Sequence, residues 1–274
     1  MAKLTATVND VVMFKSLFGL LCRNSDMLKF KVDKEGISSV TMPADMATFL
    51  SVLIKPNFFE EWNFEGSFMY CYFDPQQFSR MMKNLTSKKI EMVLDENYIN
   101  FSLENEGRKK HISLVQITGE LSELPGNLGT DFDFSWIIEI ETLKSIVDDI
   151  VNVDDNADLS SIYFTWEKDS LKVEARESKV MKFETIIGPP FVKCGSGHSS
   201  FRTNYFSKIV WAGLGKIRFS ILNTDGPAFM ETCDDSKFSL KFIVAPFVAS
   251  NPDMDITSEN DGKSSQDSEV VSDG

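Results

Sequence analysis

Apolar residues at Val11, Phe14, Leu17, Phe18 and Leu21 recur at helical spacing behind the polar pair Asn9-Asp10, which suits a helix cap. The pattern predicts a first helix within Val8–Arg23. The period then falls to two. Met27–Val32 alternates, Asp33-Lys34-Glu35-Gly36 reads as a turn, and Ile37–Met42 is again extended, which predicts a hairpin. Asp45–Ile54 and Phe68–Phe73 are further predicted strands. Asp74, with Pro75 at the first helical position, opens a second helix to Leu85 whose apolar face is Phe78, Met81, Met82 and Leu85. Ile90–Leu94, Tyr98–Leu103 and His111–Ile117 complete a meander.

The stretch Gln116–Trp136 breaks this regularity with Gly119, the pair Pro125-Gly126 and Gly129. Beyond it the order restarts. Phe134–Ile140 is a predicted strand and Glu141–Val153 a helix with Leu143, Ile146, Val147 and Ile150 on one face. Ile162–Trp166 and Leu171–Ala175 form a second hairpin, and Val180–Ile187 a strand. Thr203–Leu214 is a helix facing inward with Phe206, Ile209 and Val210, and Ile217–Leu222, Ala228–Thr232 and Phe238–Val244 are closing strands. The period of about 130 residues is far too long for a solenoid. The pattern is that of a duplicated domain of α+β class, residues 1–117 and 134–249, joined by a connecting loop at 118–133. Residues 250–274 are rich in Ser, Asp, Glu and Asn and are predicted to be a disordered acidic tail.

Charge changes the picture. The 274-residue chain has a formal net charge of -13, which taken as a sum opposes nucleic-acid binding. The segment Asn251–Gly274, however, holds seven acids and one lysine. Cations concentrate on predicted helices: Lys15 and Arg23 on the first, Arg80, Lys83, Lys88 and Lys89 on and after the second, and Arg202, Lys208 and Lys216 around the fourth. Such faces are commonly just solvated. Gathered on one surface they would meet phosphates, without sequence preference and with strong salt dependence. The third helix, with Asp148 and Asp149, opposes the pattern.

Candidate chemistry is sparse. The four cysteines, Cys22, Cys71, Cys194 and Cys233, include no CxxC pair and suit thiols in a reducing compartment. The first 25 residues lack a secretory pattern, and no apolar run would span a membrane. His111 sits in a strand pattern beside Lys109-Lys110. His198 falls in Cys194–His198, which reads as a flexible loop. Gly213-Leu214-Gly215-Lys216 lacks the first glycine and the Ser/Thr of a phosphate loop. Asp148-Asp149 and Asp154-Asp155 could serve as metal ligands, but adjacent carboxylates on a helix are expected to diverge, which suits solvated charge. Catalysis, metal and cofactor are therefore not expected. The many phenylalanines, 23 in all, are scattered through apolar runs and suit core packing.

Several stretches together resemble the sliding clamps of the PCNA family. Phe30–Met42 resembles that family's "Asp/Glu-Gly-Ile" hairpin, and Pro43-Ala-Asp-Met46 the short loop after it. Ser122-Glu-Leu124-Pro125 resembles the interdomain connecting loop, Lys208–Lys216 the last helix, and Leu240-Lys-Phe-Ile-Val-Ala-Pro-Phe-Val248 the closing strand and Ala-Pro turn. The resemblance implies two like clamp domains per chain, with three chains closing a ring, helices lining the hole and antiparallel sheets outside. Subunits would meet near Lys109–Gln116 and Ser178–Thr185, as a homotrimer or a heterotrimer. It implies a non-enzymatic processivity factor, intracellular and at DNA. Its partners would be duplex DNA, a DNA polymerase and a clamp loader, with no membrane involved. DNA-facing residues would be Lys15, Arg80, Lys83, Lys208 and Lys216, with Arg23 and Lys88 behind them. A pocket for partner peptides would comprise Met42, Met46, Leu124, Pro227, Ile243, Ala245 and Pro246. Phe247 departs from the family, which has a basic residue after Ala-Pro, and the connecting loop is richer in glycine. A subunit of a checkpoint-type mixed ring and a β-rich structural protein are the alternatives.

Overall fold

The computed structural model describes residues 2–43, 45–105, 107–117, 131–153, 161–175, 183–207 and 215–247. The first half runs β1 (Lys3–Val8), α1 (Val11–Arg23), β2 (Leu28–Asp33), β3 (Gly36–Thr41), β4 (Thr48–Ile54), a 3-10 turn at Pro56–Phe58, β5 (Glu61–Glu65), β6 (Phe68–Phe73), α2 (Pro75–Lys83), β7 (Ile90–Asp95), β8 (Tyr98–Asn105) and β9 (Arg108–Val115). The second half runs β10 (Phe134–Glu139), α3 (Ile140–Val153), β11 (Ser161–Glu167), β12 (Ser170–Ala175), β13 (Phe183–Ile187), β14 (Lys193–Cys194), β15 (Ser196–Arg202), α4 (Thr203–Ser207), β16 (Lys216–Ile221), β17 (Ala228–Thr232) and β18 (Phe238–Val244). Most of the predicted connecting loop, the acidic tail and the predicted continuation of the fourth helix lie outside the described residues.

Local chemistry accounts for the helix ends. Asp10 accepts from the Met13 amide at 3.0 Å and Asp74 from the Gln77 amide at 2.7 Å, each satisfying a donor in a first turn. Both helices close with an asparagine whose side-chain amide reaches back to a carbonyl four residues earlier, Asn24 to Leu20 and Asn84 to Arg80, each at 2.9 Å. The β2–β3 turn needs Gly36, which adopts φ 135; a Cβ there would lie 2.1 Å from the Ile54 carbonyl oxygen.

Every sheet is antiparallel, and the duplication is visible in strand order. The first half builds a sheet β5-β1-β7-β8-β9, and the second builds β14-β10-β16-β17-β18 from the corresponding strands. The first half's β4-β3-β2-β6 corresponds likewise to β13-β12-β11-β15. Because β18 pairs with β4, the second half's five strands and the first half's four form one nine-stranded sheet. The corresponding strands β9 and β13 are left as sheet edges.

The phenylalanines repeat with the topology. In the first half Phe30, Phe73 and Phe78 enclose one another at ring separations of 5.5–5.8 Å. In the second, Phe164, Phe201 and Phe206 do the same at 5.4–5.9 Å. All six are buried. They join sheet to helix in each half, so the high Phe content is core material used twice.

The structure corrects several expectations. Strands β1 and β5 are not among the predicted elements, although KLTATV and EWNFE each alternate polar and apolar residues; both are short. The predicted strand Asp45–Ile54 starts only at Thr48, because Met46 sits at φ 52 in a turn. His198 lies on strand β15 and not in a flexible loop. Small residues hide that strand. Gly197 faces Trp166 across the ladder, and a Cβ on it would sit 2.6 Å from the indole, so the position admits no side chain.

Gly36→Ala should destabilise the protein by about 2 kcal/mol or more through the strained φ and the Ile54 clash, read as a lower urea midpoint. Burial pushes the thiols of Cys22 and Cys71 up from 9.0 to about 12. Their contribution to stability is therefore complete below about pH 9 and lost as pH rises towards 12, because the unfolded chain ionises first. Urea midpoints should fall over that interval, and the double variant Cys22→Ala, Cys71→Ala should show a shallower fall.

Candidate nucleic-acid interface and partner groove

Helices α1 and α2 pack on each other. Arg80 and Lys83 are exposed in the last turn of α2, and the exposed Arg23 ends α1. All three line the cleft between the helices, together with Cys22, Asp26 and Asp74. Asp74 already serves as the α2 cap. Cations at helix C-termini also stabilise their own helices, by about 0.3–1 kcal/mol each. Lys15 is placed differently. It is half-buried and donates to the Leu85 carbonyl at 3.0 Å, tying α1 to the end of the chain leaving α2. Lys88 is exposed, while Lys89 is paired with Glu60; the hydrogen bond between them raises the lysine and lowers the carboxyl.

Of the other two predicted contacts, only Lys216 can be placed, and it separates from this cluster. Lys208 lies outside the described residues. Lys216 opens strand β16 instead of trailing a helix, because Gly215 at φ 66 turns the chain first. Lys216 alternates with buried Ile217 and Phe219, shares the opposite strand face with Arg218, and lies 3.8 Å from Glu139. Helix α3 exposes Glu141, Asp148 and Asp149, with Lys144 hydrogen-bonded to Asp148. Among the described residues, basic helical surface is concentrated on the first helix pair.

Part of the predicted pocket set lies at one end of the nine-stranded sheet. Strand pairing sets Ala228 opposite Val244, and Val244 opposite Thr48, so Pro227, Ala245 and the loop before Thr48 share one end of the sheet. The Ala245 amide donates to the Ala47 carbonyl at 2.8 Å. Met42 and Met46 flank that contact and are 44% and 71% exposed, an adaptable apolar rim. Leu124 lies outside the described residues. Phe247 is accounted for by its contacts. Its amide donates to the Ser200 carbonyl at 2.7 Å, and its ring lies 3.6 Å beneath the Arg202 guanidinium.

Sequence reasoning missed three residues of this surface. Phe229 and Ile243 face each other in the β17–β18 ladder and point away from the core that Ala228, Met230, Phe242 and Val244 enter, so the groove meaning of Phe229 is new and that of Ile243 gains a partner. Both are nonetheless buried. Phe132 covers Phe229 at a ring separation of 5.0 Å, and Phe49 stands opposite Ile243 on β4. Phe229, Phe132 and Phe49 thus give the groove its own apolar floor on the outer face of the nine-stranded sheet. The run Ala228-Phe229-Met230 was the available signal, since a strand apolar on both faces is covered on both.

No protein-family model and no curated protein matches this chain, whereas solved structures match nearly all of it. Proliferating cellular nuclear antigen (PCNA) from Entamoeba histolytica superposes with a TM-score of 0.78 at 18% identity, covering 90% of this chain and 100% of that one. The chain has the PCNA fold. A structure of the PCNA2–PCNA3 complex from Sulfolobus tokodaii matches with a TM-score of 0.74 at 20% identity, over 88% of this chain and 98% of that one. PCNA of A. fulgidus, solved with the C-terminal region of FEN-1 bound, matches with a TM-score of 0.76 at 14% identity, over 90% and 100%. The two like halves and antiparallel sheets of this chain are those of the PCNA fold.

The groove's rim and floor should separate in a melting experiment. Met46→Asp should change stability by less than about 0.5 kcal/mol, because the side chain is already largely in water. Phe229→Ala should cost about 3 kcal/mol, because it empties a filled site.

Proposed function

We propose that this chain is a non-catalytic sliding clamp that encircles duplex DNA and tethers DNA-processing enzymes. One observation carries the reading. The halves join through β18 and β4, and the strands corresponding to these, β9 and β13, remain as the edges of two other sheets. Joining β9 of one copy to β13 of the next repeats the internal junction. Three copies supply six repeats and close a ring in which neither β9 nor β13 is left unpaired. The halves 1–117 and 134–249 are the two clamp domains, with 118–133 crossing between them.

Helices then line the hole. Arg23, Arg80 and Lys83 meet phosphates there, with Lys208 and the tethered Lys15 contributing, while Lys216 and Arg218 lie on the far side of their strand. Contacts of this kind are weak and interchangeable, which permits sliding, and topology replaces affinity in keeping the protein on DNA. A negative net charge is compatible with such a mechanism. The groove of Met42, Met46, Leu124, Pro227, Ile243, Ala245 and Pro246, floored by Phe229, receives a short peptide with apolar anchors, by which a polymerase or a loader attaches. The PCNA of A. fulgidus carries the FEN-1 C-terminal region, which favours a tethering role for this chain as well.

The test is retention on DNA. The assembled protein should stay on closed circular duplex and be lost when the circle is cut. Arg80→Glu with Lys83→Glu should leave the assembly's size unchanged and abolish retention at moderate salt. Each phosphate no longer neutralised should reduce the salt dependence of binding by about 0.9 in log–log slope. A monomeric chain, or retention indifferent to cutting the circle, would sink the proposal.

A further inference from the structure

The internal junction specifies, residue by residue, how two copies would meet, on the reading above that they form a ring. At the inner junction Lys241 stands opposite Ser51 and Phe242 opposite Leu50. Two backbone hydrogen bonds fix the correspondence between β18 and β9. The Phe247 amide donates to Ser200 at 2.7 Å, and the Ile117 amide to Tyr72 at 2.9 Å, at equivalent points in the two halves. His111 therefore corresponds to Lys241, and Ile112 to Phe242. The hairpins fix the correspondence between β4 and β13. Ile54 stands opposite Ile37, and Ile187 opposite Leu171, directly after equivalent turns. Glu184 therefore corresponds to Ser51, and Phe183 to Leu50.

Transferred to two copies, this register sets Ile112 against Phe183, each half-buried on the core side of its strand. On the outer side it sets His111 against Glu184, both exposed. We propose that His111 of one copy and Glu184 of the next form a protonation-dependent clasp across the β9–β13 junction, so that ring closure strengthens as pH falls through the histidine range.

The surroundings bear on the sign. From β8, Ser102 hydrogen-bonds the Nδ1 of His111 at 2.9 Å, leaving Nε2 for the neighbour. Lys109 shares the strand face with His111, and Lys89, Glu91 and Glu104 line the same shallow surface. Across the junction, Lys172 on β12 lies 3.0 Å from both Glu174 and Glu184. Glu184 thus brings a carboxylate that Lys172 shares with Glu174, and the cations Lys109, Lys89 and Lys172 face four acids, Glu91, Glu104, Glu174 and Glu184. A positive charge on His111 is favourable in that setting, and directly opposed charges on paired strands attract. Protonation at His111 is then linked to assembly, and the bound state takes up protons as pH falls.

Both residues are exposed in the single chain, so substitutions there leave the fold intact. Dilution series read by sedimentation at about pH 8 and about pH 6, either side of the ordinary histidine value near 6.5, test the clasp. The unaltered protein should associate about tenfold more tightly at the lower pH, the change that a one-unit shift in one pKa supports. His111→Gln and Glu184→Gln should each remove most of that response. His111→Glu should loosen assembly, and adding Glu184→Lys should restore it, which checks the register itself. A pH response that survives His111→Gln overturns the clasp and leaves the ring standing. A chain that is monomeric at both pH values overturns the clasp and the ring together.

Discussion

The β18–β4 ladder is the constraint on which the rest of this molecule depends. It runs for seven residue pairs, from Phe238–Ile54 to Val244–Thr48, and it is the place where the two halves become one sheet. Its core-facing side is closed by Leu240, Phe242 and Val244 against Val52, Leu50 and Thr48, all buried. Its outer side carries Ile243 and Phe49, and so continues directly into the candidate groove. That candidate site is a by-product of joining the halves: the loop before Thr48 and the Ala-Pro turn after Val244 are neighbours only because the ladder sets them side by side.

Duplication explains why the same chemistry serves different ends in the two halves. Corresponding strands carry Phe229 and Ile243 on one outer face, while Asn100 and Ser113 hydrogen-bond each other on the other. Corresponding helix pairs carry cations on the first and exposed acids on the third helix. The core triplets of phenylalanine are kept in both halves, because each half must bury a helix pair against its own sheets. What faces outward is free to diverge. Apolar matter collected where the halves join, and positive charge collected on α1 and α2.

Much of this is legible in the chain itself, for reasons that particular residues make plain. Asp10 and Asp74 announce their helices by capping them. Gly36 and the alternation around it announce the first hairpin, and the repeated order of elements announces two like domains. Strand β15 is illegible because its identity rests on the absence of a side chain at Gly197, beneath an indole from another strand. Lys216 reads as the end of a helix because of the glycines before it, while only pairing with Glu139 and Cys233 makes it strand. Phe229 reads as core because composition cannot say which of two covered faces is the outer one. Site residues contributed by a strand's outward face or by a distant loop are set by long-range pairing, which no local pattern contains.

The continuity of the nine-stranded sheet has a mechanical consequence. Hydrogen bonds bridge the halves without a gap, so bending one chain means breaking a ladder whose inner face is mostly buried. A meeting of two edge strands has no covalent continuity behind it, and the shorter strand β13 offers five described residues to it. Any closed assembly built from this chain would behave as rigid staves with compliant seams. Strain from a pulling partner would be relieved by parting a seam, between molecules and never through the middle of one.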